Sequence, residues 1–346
     1  MSTYRSNTEN KESDFANTVY NYDWSSTLFG PMELWDTSLK NAVTLSLHSV
    51  FPINICVYPN WIYLYNKAWQ PILKTKHPSA LGKPVKEVWP EIYEIIDEQL
   101  EKVRTTGKGI FYSDCLFELQ RDGYTEEAYF NYTYSPIFKS DGSSVCAVFV
   151  MAQENTQKVL NNRRLKIVGE FGRRITEVES LENASHIITE VLSDHNADIP
   201  YALIYFVEHK LNTASESLIA RLIATTFDCD GEKGWLFPNY LPETPAIIDL
   251  TKDVNKSYNT YPEVNRETIL SSFIKCDSWP LHLLIEEGGH IMVLLKDGSQ
   301  AVLLLTKIPL DEGRVLSAIL ICGINRRRKL DEKYMEFLKV CQNSYD

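Results

Sequence analysis

The chain has 346 residues, of which 44% are hydrophobic and 23% charged, with a formal net charge of −11. That length allows two cores of ordinary domain size, and the acidic balance argues against a nucleic-acid binder, which needs a basic face. Its longest apolar runs, near Val145–Met151, Tyr201–Val207 and Val302–Leu305, fall far short of the roughly 20 residues that span a bilayer, so no membrane partner is expected.

Met1–Ala16 is polar and charged, without the apolar stretch of a secretory signal. It reads as the start of a disordered arm, with order expected from Asp23. Seven scattered cysteines without a CxxC pair read as free thiols in a reducing cytoplasm. Asp36 is placed to cap a helix in which Leu39, Val43 and Leu47 form one apolar stripe. Ile53–Tyr58 and Trp61–Tyr65 read as strands split by a Pro59-Asn60 turn, and Asn66 can cap a short helix through Trp69. Pro90 precedes a helix with Ile92, Ile95, Ile96 and Val103, which Gly107 is placed to stop. The period then changes to two. Ile110–Leu119, Glu127–Ser135 and Val145–Met151 read as three strands, with Arg121-Asp122-Gly123 and Ser140-Asp141-Gly142 as hairpin turns.

A charged helix is expected over Thr156–Val178, weakened by Gly169 and Gly172. A second amphipathic helix turns Leu181, Ile188, Val191 and Leu192 inward and stops before Pro200. Strands Ala202–Val207 and Leu218–Thr225, an irregular stretch from Phe227 to Arg266, a short helix near Trp279–Glu287, strands Gln300–Thr306 and Arg314–Gly323, and a helix Asp331–Cys341 complete the chain. The fold class expected is α+β: two antiparallel-sheet domains joined by a helical linker.

The stretch Asp23-Trp24-Ser25-Ser26-Thr27, then Leu28-Phe29-Gly30-Pro31, Trp35 and Ser38-Leu39, resembles the entry segment of PAS domains in soluble hybrid sensor histidine kinases. So do Leu64-Tyr65-Asn66, Pro71-Ile72-Leu73, Lys76-His77-Pro78-Ser79-Ala80-Leu81-Gly82 and Val88-Trp89-Pro90-Glu91-Ile92. Glu126-Glu127-Ala128-Tyr129-Phe130, Tyr132, Tyr134-Ser135-Pro136-Ile137 and Asp141-Gly142 look like the last strands of that domain. Gly323-Ile324-Asn325, Arg327, Leu330-Asp331-Glu332, Tyr334 and Phe337-Leu338 resemble the closing strand and helix of the GAF domain that follows in those proteins. The resemblance implies a disordered arm (1–22), a PAS-like domain (23–155), a linking signalling helix (156–178) and a GAF-like domain (179–346). It further implies a cytoplasmic sensory input module of a two-component phosphorelay, working as a homodimer. No His-Glu-Leu-Arg-Thr-Pro-like phosphoacceptor box and no Asp-x-Gly-x-Gly ATP lid occurs in the sequence, so no catalysis is expected of these residues.

A PAS ligand, a small molecule, would sit among Trp61, Tyr63, Trp69, Phe111, Phe130, Tyr132 and Tyr134. An aromatic core needs no ligand to explain it, however, because aromatics carry the largest burial energy per residue. The cofactor is left unknown, because no flavin, haem or bilin attachment motif is visible. His77, beside Pro78, reads as a surface or capping histidine, and His186 as half of a surface ion pair with Glu190. Leu160, Ile167, Phe171 and Val178 are the expected seam of a parallel dimer through the linker helix. An alternative function is a GAF-type thiol redox enzyme using Cys229, Cys276 and Cys322, although Asp228 and Asp230 would raise the Cys229 pKa. Another is a ligand-free interaction scaffold. The run Arg326-Arg327-Arg328-Lys329 reads as a solvated turn.

Overall fold

The computed structural model describes residues 15–176, 178, 180–212, 215–228, 236–251, 259–262, 272–275, 278–310 and 314–343. The chain is an α+β protein of two compact units, Met1–Leu160 and Asn161–Asp346. Among the described residues no helix is long and apolar enough to cross a membrane.

Order in the first unit starts earlier than the expected Asp23. Residues 15–20 form a helix (α1), whose Phe15 ring stacks on Tyr65 at 5.5 Å and whose Val19 is fully buried. Two apolar residues four apart are enough to dock one helical turn but too few to stand out in a polar sequence. Helix α2 (Thr37–Leu47) is capped by Asp36, which accepts from the Ser38 N–H and buries Leu39 and Val43. Strands β1 (Ile53–Val57) and β2 (Ile62–Tyr65) follow, then the short helices α3 (Gln70–Leu73) and α4 (Val85–Val88), and α5 (Tyr93–Thr106). Helix α5 ends on Gly107 at φ 63°, a conformation that glycine reaches without steric cost.

Next come β3 (Ile110–Arg121), β4 (Tyr124–Phe138) and β5 (Val145–Glu154). Asp122 and Gly123 join β3 to β4 with φ of 60° and 84°, the two left-handed residues that a tight hairpin requires. The five strands are ordered β2-β1-β5-β4-β3, with antiparallel pairing throughout. The helices bury one face of this sheet, and the candidate site lies on that face.

Helix α6 (Thr156–Ile175) crosses the boundary between the units. In the second unit follow α7 (Leu181–Asp194), β6 (Ala202–Asn212), β7 (Ser215–Thr225), β8 (Ile247–Asp249), β9 (Asn259–Pro262) and β10 (Ser272–Lys275). Helix α8 (Leu281–Glu287), β11 (His290–Leu294), β12 (Gln300–Pro309), β13 (Val315–Gly323) and α9 (Glu332–Gln342) complete the unit. Its sheet runs β8-β7-β6-β13-β12-β11-β10-β9 among the described residues. All pairs are antiparallel except β10 with β11. Strand β6 is buried on both faces: Ala202, Ile204 and Phe206 join the core under α6, α7 and α9, while Leu203 and Tyr205 join the opposite core.

This packing corrects the expected dimer seam. Ile167 and Phe171 are 0% and 2% exposed within the second unit's core, and Leu160 is also buried. Ile167 and Phe171 cannot face a second chain without leaving that core, and Val178 is half-buried. Two charge expectations change as well. Glu190 pairs with Arg174 instead of His186. In the basic run Arg326 pairs with Asp297 and Arg328 is buried, so the turn is anchored.

Gly323 is a close approach of backbone to side chain, since a Cβ there would collide with three carbons of the buried Tyr201 ring. Gly323→Ala should cost about 1–3 kcal/mol of second-unit stability, the usual range for overpacking. A denaturant titration would check this; an unchanged midpoint would show that the ring moves freely.

Candidate functional site

The inward-facing residues of the first sheet are set by strand alternation. On β4, Phe130, Tyr132 and Tyr134 share the buried face; the register pairs Tyr132 with Ala152 and Tyr134 with Val150 of β5, and Val150 with Asn54 of β1. Together with residues from α3 to α5 they enclose a cavity of about 70 Å³. It is lined by Asn54, Cys56, Tyr63, Trp69, Ile72, Val85, Trp89, Ile92, Ile96, Phe117, Leu119, Phe130, Tyr132, Tyr134, Val150 and Ala152. None of these side chains is charged.

Of the seven residues expected around a ligand, Tyr63, Trp69, Phe130, Tyr132 and Tyr134 line this cavity. Trp61 is buried but belongs to the surrounding core, with its ring 5.5 Å from Tyr58. Phe111 is 64% exposed. The cause is a β-bulge between Tyr112 and Cys115, where β3 carries one extra residue against β4 and Asp114 takes φ 52°. The extra residue reverses which side of the strand faces inward. Tyr112 therefore stacks on Tyr132 at 5.2 Å before the bulge, while Phe117 and Leu119 face inward after it.

The polar atoms in the cavity wall are few. Cys56 donates its thiol hydrogen to Asn54 Oδ1 at 3.2 Å, and Trp89 Nε1 donates to the Tyr63 hydroxyl at 3.4 Å. Tyr132 donates to Gln99 Oε1 at 3.1 Å. Trp69 Nε1 has no hydrogen-bond partner among the described residues. Burial drives the pKa of Tyr63 and Tyr134 well above the usual phenol value, with the neighbouring Cys56 adding to it. Burial also pushes the Cys56 thiol up. The wall is neutral at any physiological pH.

One wall of the cavity is tied to the start of α6. Arg121, fully buried, donates from Nη1 to the Ile72 carbonyl at 3.0 Å. Its Nη2 donates to Glu154 Oε1 at 2.8 Å and its Nε to Glu126 Oε2 at 2.8 Å. Lys74 joins Glu126 at 2.7 Å. The same Glu154 Oε1 accepts from the Thr156 hydroxyl at 2.9 Å, and that hydroxyl accepts from the Tyr129 N–H at 3.0 Å. Thr156 is the first residue of α6. Nothing in the sequence flags this chain of bonds, because a charged residue at a hairpin end is ordinarily solvated.

His77 hydrogen-bonds through Nδ1 to the Tyr65 hydroxyl at 2.9 Å, and its pKa is lowered by burial. In the second unit Cys322 is buried and its thiol pKa is raised. A buried protonated thiol is a poor nucleophile. Cys229 and Cys276 lie outside the described residues.

No protein-family model and no curated protein matches the chain. Similar solved structures include a PAS domain from Colwellia psychrerythraea, at 13% identity over 34% of this chain and 98% of that one, TM-score 0.27. A sensory box sensor histidine kinase from Vibrio cholerae matches at 18% identity over 34% of this chain and 91% of that one, TM-score 0.24. The chromophore-binding domain of the Stigmatella aurantiaca bacteriophytochrome matches at 11% identity over 85% of this chain and 91% of that one, TM-score 0.28.

Proposed function

We propose that the chain is a sensory input module that binds a small molecule in the first unit's cavity and passes that event to α6. The output we infer from the sequence resemblance is a histidine kinase in a two-component phosphorelay, with no catalysis by these residues. The observation that supports this reading is Arg121, bonded at once to the cavity wall at Ile72 and to Glu154, which holds Thr156 at the start of α6. A ligand that prefers one position of Ile72 thereby biases Arg121, Glu154 and the first turn of α6. Coupling of this kind needs only different affinities for two packings. The homodimer stays part of the proposal, through surfaces other than Leu160, Ile167 and Phe171, and so does a cytoplasmic setting. The thiol-enzyme alternative is not favoured.

Mass spectrometry of small molecules released from the purified chain, followed by hydrogen exchange with and without the released compound, tests this. Binding should slow exchange in Thr156 and the first turn of α6. A compound that binds in the cavity and leaves exchange in α6 unchanged would sink the coupling.

A further inference from the structure

We propose that the first unit's cavity takes a neutral, planar, single-ring molecule with hydrogen-bond acceptors on its edge, read by the Asn54 amide, the Trp69 indole N–H and the Tyr134 hydroxyl. The proposal rests on the cavity reading above and adds the class of ligand. Size sets the first limit. At about 70 Å³ the cavity is smaller than the roughly 150 Å³ that admits benzene in an engineered apolar core, so nothing larger than a single small ring can enter and a fused pair is excluded. Aromatic rings on β2, β3 and β4 and on the turn carrying Trp69 surround it, and flat ligands pack best against such rings. The absence of charge from the lining sets the second limit, because an ion entering here would lose its hydration with nothing to replace it.

The third limit is the pattern of donors. Trp69 is 5% exposed and its Nε1–H has no acceptor among the described residues. Asn54 is 3% exposed, and its Oδ1 is occupied by the Cys56 thiol hydrogen. With the amide in that orientation, its two Nδ2 hydrogens are left to the cavity. The Tyr134 hydroxyl, on a side chain that is 5% exposed, also opens on the lining. Buried donors are ordinarily paired, and here the missing acceptors are supplied by the ligand. Cys56 is the positioning residue, since it orients the Asn54 amide.

Binding to the whole chain would be measured by calorimetry with three probes: isoxazole, thiophene and acetate. Isoxazole and thiophene are flat rings of similar size, and only isoxazole presents strong acceptors. Isoxazole should bind roughly tenfold more tightly than thiophene, as two net hydrogen bonds allow, and acetate should not bind. Asn54→Leu and Trp69→Phe should each shrink the preference, with near-ultraviolet circular dichroism confirming the fold; Trp69→Phe keeps the ring if Asn54→Leu does not fold. Equal binding of the two rings, binding of acetate, or a preference unchanged in both variants would overturn the ligand class and leave the cavity reading standing. Failure of both rings to bind at millimolar concentration would overturn the ligand class, while the cavity reading stands or falls by the compound released from the purified chain.

Discussion

Arg121→Met should cost the first unit about 3–5 kcal/mol, the range for removing one partner of a buried ion pair. The side chain is 0% exposed and sits between Glu126, 12% exposed, and Glu154, 29% exposed. Methionine fills a similar volume but leaves the Ile72 carbonyl and both carboxylates without their buried donor. The loss would be read from the urea midpoint of the first unit. Its pH dependence has a definite sign. Burial works against the Glu126 carboxylate, but Lys74 and Arg121 hold its pKa below the ordinary 4.5. A carboxylate depressed in the folded state contributes stability above its unfolded pKa and loses it as pH falls through the folded value. The gap between wild type and Arg121→Met should therefore be full at neutral pH and narrow below about pH 4.5. A gap that stays constant down to pH 3 would show that packing, not charge, accounts for the loss (~pH 3 lies below the unfolded carboxylate pKa).

The same variant separates stability from signalling. If Arg121 carries the cavity's state to α6, ligand-induced protection of the first α6 turn should vanish in Arg121→Met at a temperature where the first unit is still folded. Ligand binding itself should persist, because Arg121 is not part of the cavity lining.

Local patterns in the sequence reveal much of this fold. Asp36 and Gly107 mark helix ends, Asp122-Gly123 marks a hairpin, and the alternation of Phe130, Tyr132 and Tyr134 marks the inner face of β4. Strict alternation fails on β3. There the apolar set shifts from Tyr112 to Cys115, Phe117 and Leu119 across the polar pair Ser113-Asp114, and that shift is the visible trace of the bulge. Following it would have moved Phe111 out of the site and Phe117 into it. On α6 the apolar stripe is plain, but a stripe does not say what covers it. Ile167 and Phe171 fit a dimer seam and an internal core equally well by spacing, and the packing of α7 and α9 decides for the core. Least legible are contacts between polar groups far apart in sequence, such as Arg121 with the Ile72 carbonyl or with Glu154. No periodicity predicts them.

Asp198→Ala should be the most damaging single change in the second unit, again about 3–5 kcal/mol, because it strands the buried Arg164 and the partly buried Arg163. The Asp198 side chain is fully buried and accepts from Arg163 Nε at 2.9 Å and Nη2 at 2.8 Å. Arg164, 9% exposed, reaches the same carboxylate at 3.5 Å while its guanidinium lies over the Tyr334 and Phe337 rings at 4.6 and 5.2 Å. Its Nε has no partner among the described residues, so losing the carboxylate would leave this group with stacking and one long bond to the Lys333 carbonyl. The backbone at the same point is tied as well: Tyr334 donates its hydroxyl hydrogen to the Asp198 carbonyl, and Asn325 Nδ2 donates to the Ala197 carbonyl at 2.7 Å. One aspartate therefore fastens α6 to the segment before β6, against α9. Asp198→Asn keeps the shape and one acceptor and should cost less than alanine. Hydrogen exchange should accelerate in α6 from Asn161 onward and in α9, with the first unit's exchange unchanged, if each unit holds its own core. Equal acceleration across both units would instead mean that they unfold as one, and α6 would then be the element that makes them cooperative.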